Sequence, residues 1–141
     1  MSFEWQVTLW RILIPAIVLS IVAMTVQAKP RLPHAPTASE IARLPPFCAA
    51  KYRKDGGQEE KKMWQQQLGK ENWVHIHHYC NALYYMNRAR FETDRANKKH
   101  YLNVVIGNAN YVLQRWSPQF QYTSSARNLK MQAEGMVRSL R

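Results

Sequence analysis

Residues 72–91 read NWVHIHHYCNALYYMNRARF, and the spacing of their apolar side chains sets the fold class. Ile76, Cys80, Leu83 and Asn87 recur at i, i+4, i+7 and i+11, with Tyr79, Tyr84 and Met86 beside that stripe. This is a helical period, because a strand would send alternate residues to one face. Residues 92–99 are polar and turn-like, with Thr93 or Asp94 available as an N-cap. A second helix is expected over about 96–116, where Leu102, Val105, Ile106, Ala109, Val112, Leu113 and Trp116 share a face. Ser117-Pro118 stops it. A third, capped by Thr123 or Ser124, runs to about Leu140 with Leu129, Ala133, Met136, Val137 and Leu140 as its stripe. No window alternates, so the expected class is all-α.

Upstream, residues 59–68 suit a short helix ended by Gly69, and Gly56-Gly57 marks a loop among Lys51, Arg53, Lys54, Lys61 and Lys62. Residues 29–47 hold five of the seven prolines. Proline at that density favours extended chain, so this stretch is expected to be a tether, with at most one short turn capped at Thr37 to Glu40. Residues 12–26, ILIPAIVLSIVAMTV, carry no charge and follow Arg11. Val26-Gln27-Ala28 ends the run with small residues at the positions a signal peptidase reads. Trp5 and Trp10 sit where an interfacial belt would lie, and residues 10–28 are close to the roughly 20 that a spanning helix needs. Cleaved signal and retained anchor both remain open for residues 1–28. Either one places Lys29 onward outside the cytoplasm, in a bacterial periplasm. The expected organisation is thus a signal or transmembrane helix over 1–28, a Pro-rich tether over 29–47 and a basic helical domain over 48–141.

Cys48 and Cys80 are the only cysteines. In an oxidising compartment they can bridge, closing a loop of about 33 residues worth about 3–4 kcal/mol on the chain-entropy account. The plainer alternative is a small buried Cys80. The net charge is +11. Removing residues 1–28 takes away one Arg and one Glu, so the remaining 113 residues still carry +11. That excess points to an anionic neighbour, such as phospholipid headgroups, cell-wall polymer or an acidic protein surface. Nucleic acid is not expected outside the cytoplasm.

Residues 72–141 resemble tetratricopeptide-type helical repeats. Ala82 and Tyr85 fit the small–aromatic pair of that family's first helix, Gly107 and Tyr111 fit the pair of its second, and Pro118 closes the unit. Ala133 and Met136 stand where a further first helix would begin. About one and a half repeats fit, with Ala82 and Gly107 twenty-five positions apart and His78 where the family places its first tryptophan. The resemblance implies antiparallel hairpins whose small residues let helices approach, and a concave groove that holds a peptide or protein without catalysis.

The densest chemical cluster is His75-Ile76-His77-His78-Tyr79-Cys80. His75 and His78 are one turn apart and could chelate Zn or Cu, but zinc needs three or four ligands. Glu71, Asn81, His34 or His100 would have to complete the set. The same histidines could equally pack among Trp73, Tyr79 and Tyr84. No catalytic set emerges. Ser124 and Ser125 lie at a helix start, the nine acidic residues include no pair placed for acid–base work, and there is no glycine-rich phosphate loop. Tyr79, Tyr84, Tyr85, Tyr101 and Tyr111, with Trp73, Trp116, Arg88, Arg90, Arg95 and Arg115, are more than one stripe can bury. Tyr, Trp and Arg are the residues enriched at binding hot spots. The expected role is therefore not enzymatic. It is a protein-binding adaptor or accessory subunit of an envelope complex, gripping its partner through Tyr84, Tyr85, Arg88, Asn108, Tyr111 and Arg115. The alternative is a periplasmic metal-binding protein using His75 and His78, with no other cofactor expected.

Overall fold

The computed structural model describes residues 34–54 and 57–140. Residues 1–28, the expected signal or anchor, lie outside that range, as do residues 29–33. Six helices follow one another: α1 (Ala38–Ile41), α2 (Pro46–Tyr52), α3 (Gln58–Leu68), α4 (Lys70–Phe91), α5 (Arg95–Leu113) and α6 (Thr123–Ser139). The described residues contain no strand, and the protein is all-α. None of these helices is long and apolar enough to cross a membrane.

Local chemistry accounts for most of the boundaries. At α1, Glu40 N–H donates to Thr37 Oγ1 and Thr37 N–H donates to Glu40 Oε2 at 2.8 Å, a reciprocal capping box. Pro46 opens α2 at the position where its missing N–H does no harm. Gly57 and Gly69 bracket α3 with φ of 69° and 83°, values that a side chain would disfavour. Asp94 caps α5 by accepting the Asn97 N–H at 2.7 Å, so Asp94 and not Thr93 fills that role. Helix α6 departs from expectation. Its N-cap is Tyr122, and Thr123 turns its hydroxyl back to donate to the Ser117 carbonyl at 2.8 Å. The Thr123 hydroxyl therefore closes the α5–α6 turn and does not cap the helix.

Helices α4, α5 and α6 form two successive antiparallel hairpins. Along α4 and α5, His78 bonds Asn108, while Tyr85 meets Tyr101 at the other end. Arg95 at the start of α5 donates to the Leu140 carbonyl beyond the end of α6. Helix α4 is the spine. It packs on α5 along one side and on α2 and α3 along another, so its burial exceeds one stripe. Ile76 and Cys80 are buried as the period predicts, but so are Trp73, Ala82, Tyr85 and Ala89, whereas Leu83 and Asn87 are only partly covered. A helix flanked on two sides cannot be read from one amphipathic face.

The expected tether is where sequence and structure differ most. Residues 38–47 fold, and Leu44 and Phe47 belong to the core. The Phe47 ring lies 6.4 Å from Tyr79 and 4.9 Å from Tyr122, joining an aromatic layer that continues through Trp64, Trp116 and Phe120. Just beyond it, Cys48 and Cys80 form a disulfide with a Cα–Cα distance of 5.5 Å, tying α2 to α4. Prolines 45 and 46 thus start a core helix. Burial of Phe47 outweighs the extended preference that proline density suggests.

Candidate functional site

The six residues expected to grip a partner divide into two clusters at opposite ends of α4. At its C-terminal end, Tyr84 and Tyr85 stack at 4.3 Å and are buried. Both hydroxyls donate to the His34 carbonyl, and the His34 ring Nδ1 lies 3.1 Å from the Tyr85 hydroxyl. Arg88 leaves only 2% of its side chain exposed. Its Nε and Nη2 donate to the two Glu40 oxygens at 2.6 and 2.9 Å, and the guanidinium lies 5.0 Å from the Tyr84 ring. The hydrogen bonds from Arg88 hold the Glu40 carboxyl down from 4.5 to about 2. Burial pushes the Tyr84 phenol up. Tyr84, Tyr85 and Arg88 are therefore occupied by the chain's own residues 34–40. The folded 34–47 segment thus supplies each of them with a partner from within the chain.

At the N-terminal end the second cluster remains partly open. Tyr111 lies between two groups. Its ring is 3.6 Å from the His78 ring on one side and 3.6 Å from the Arg115 guanidinium on the other. Its hydroxyl lies 3.3 Å from His75 Nδ1. His78 Nδ1 is 2.8 Å from Asn108 Oδ1, and Asn108 in turn donates to the Val104 carbonyl at 2.9 Å. These bonds hold the stack in place from both helices. Lys51 adds a further cation nearby. Its ammonium donates to the Trp73 carbonyl at 2.9 Å and lies 4.6 Å from that residue's ring.

The electrostatics of this cluster follow from its composition. Desolvation lowers the affinity of His75 for a proton, and repulsion from Arg115, His78 and Lys51 lowers it further. His77 shifts the same way, chiefly through desolvation and then His78. Desolvation also pushes Lys51 down, with Lys61 adding to the effect. The surface is thus aromatic and cationic, with no carboxylate among these contacts. A dication held by His75 and His78 would meet Arg115 and Lys51, and each Nδ1 already has a neighbour. Among the described residues no three of His, Cys, Asp and Glu come together to hold a metal ion.

Sequence reasoning placed Asn108, Tyr111, Arg115, His75 and His78 individually. It assigned the last two to metal and the others to a partner, whereas all five form one cluster. It named His34 only as a possible metal ligand and did not join His34 or Glu40 to their partners, which lie about fifty positions away. The one local signal for Glu40 was its capping spacing from Thr37. Glu92 was also missed. It is buried, and its Oε1 accepts the N–H groups of Thr93 and Asp94 at the α4–α5 turn. The repeat resemblance meets a mixed pattern of packing. Ala82 is fully buried, but Gly107 is exposed, and a Cβ built there would find no atom within 4 Å. No family model matches the chain, and neither a curated protein nor a solved structure does.

Proposed function

We propose that this chain is an exported, membrane-proximal adaptor, an accessory subunit that binds an acidic segment of a partner protein in the bacterial envelope. The observation that carries the reading is the Arg115–Tyr111–His78 stack. It combines the residue types that dominate interface hot spots with fixed orientation and partial exposure. An acidic side chain would gain hydrogen bonds from Arg115 and apolar contact with Tyr111. The resemblance of residues 72–141 to tetratricopeptide-type hairpins supports the same class, because such hairpins hold partners and do not catalyse. The disulfide and the apolar run of residues 12–26 support placement in the periplasm, with residues 1–28 as a retained anchor or a cleaved signal.

The test is site-specific crosslinking in the native membrane. A photoreactive residue at Gln114, beside the stack, should capture a single protein. Tyr111→Ala with Arg115→Ala should abolish that product at a temperature where the variant is folded, its midpoint being lowered by the loss of the Tyr111 ring from the packed face. Equal capture by the double variant would refute this surface as the binding site.

A further inference from the structure

We propose that the face formed by Phe91, Arg90 and Arg43 rests on an anionic phospholipid surface, with Phe91 in the interfacial zone and the two guanidiniums on lipid phosphates. The inference rests on the reading of residues 1–28 as a membrane segment and gives the domain an orientation on the bilayer.

Three observations converge. Phe91, the last residue of α4, is 78% exposed, more than Met63, Val74 or Met131, the other large apolar side chains on the described surface. It lines an open groove of about 520 Å³ together with Arg43, Arg88 and Arg90. The acidic groups at that groove are already engaged. Glu40 meets Arg88, and Glu92 accepts backbone N–H groups. Arg43 and Arg90 are exposed, and Arg90 donates to a neutral side chain, Gln132. An exposed aromatic ring flanked by arginines is the composition that membrane interfaces attract.

The third observation is the place of His34, the first described residue. His34 is held against Tyr84 and Tyr85, and Tyr84 and Arg88 line the groove. Only six Cα steps separate Ala28 from His34, a reach of at most about 21 Å however they are arranged. A tether through residue 47 would have allowed about 65 Å and any orientation. With residues 38–47 folded, the domain stays within that reach of the bilayer, and the charge and exposure of the Phe91 face select the end that meets it. The Tyr111 stack, beside His75 and His78, stands roughly 20–24 Å farther along α4 at 1.5 Å per residue. The partner surface would then face away from the membrane.

The experiment places the full chain in vesicles of equal parts phosphatidylcholine and phosphatidylglycerol that contain a phospholipid with a headgroup diazirine. Label is mapped by mass spectrometry after photolysis. Residues 91–95 should be labelled, with labelling reduced about fivefold by Arg43→Gln. Pure phosphatidylcholine vesicles and Phe91→Ala should reduce it as well. Label on residues 1–28 reports the membrane segment separately. If that segment is labelled and residues 91–95 are not, the face proposal is overturned and the anchor stands. Label on 91–95 alone would support the face as a peripheral contact and overturn the anchor. Absence of label from both would overturn both.

Discussion

The two ends of α4 carry nearly the same residue types and do different things with them. Each pairs tyrosine with arginine and histidine. At the C-terminal end Tyr84, Tyr85 and Arg88 are buried beneath His34 and Glu40. At the N-terminal end His78, Tyr111 and Arg115 stack with no segment of the described chain laid over them in the same way. What separates the ends is that residues 34–40 cover one of them and leave the other partly exposed. A tyrosine–arginine pair can be buried by its own chain or left exposed, and only the tertiary fold decides which.

Stability measurements should divide along this line. Replacing both Cys48 and Cys80 by Ala should lower unfolding free energy by about 3–4 kcal/mol in urea, because the bridge closes a loop across a sequence separation of 32. The wild type in reductant should fall equally, and no loss in either would mean the bridge does not form. Arg88→Ala comes next, at about 2–3 kcal/mol. That is below the full penalty for a broken buried pair, since 22% of the Glu40 side chain reaches solvent. The same pair has a pH signature. Glu40 is held well below its unfolded value of 4.5, so its contribution is complete above that pH and fades as acid approaches about 2. Arg88→Ala should flatten this part of the stability–pH curve, and an unchanged slope would remove the pair from the account.

The opposite end should respond weakly. Gly107→Ala should stabilise by about 0.5–1 kcal/mol, because the position is helical, exposed and unobstructed. Destabilisation there would reveal the close helix approach that the repeat pattern implies. Arg115→Ala, on an exposed side chain, should change stability by no more than about 0.5 kcal/mol. A loss comparable to that of Arg88→Ala would erase the distinction between the ends.

Much of the fold was legible in the sequence, because α4, α5 and α6 carry apolar residues at helical spacing and are punctuated by Gly69, the Asp94 cap and Pro118. The disulfide was legible too, from two cysteines that follow an apolar run. The second helix was not, although the short turn capped at Thr37, where α1 forms, was. Prolines 45 and 46 have the composition of a linker, and nothing local says that Phe47 will find Tyr79 and Tyr122 across the chain. The same long-range contacts hid the fate of Tyr84, Tyr85 and Arg88, since their partners precede them by about fifty residues. The second cluster was easier because the one-turn spacing of His75 and His78 marks them as neighbours on one helix. Its union with Tyr111 required the antiparallel pairing of α4 and α5.

The most direct measurement is the paired crosslinking comparison in native membranes, with the photoreactive residue at Gln114. The account predicts one captured protein, lost in the Tyr111→Ala and Arg115→Ala double variant at a temperature where that variant is folded. Arg88→Ala, by contrast, should lower the midpoint and keep the product at temperatures where it is folded. Capture that survives the double variant, or that vanishes only with Arg88→Ala in its folded state, would contradict the assignment of binding to the Tyr111 end.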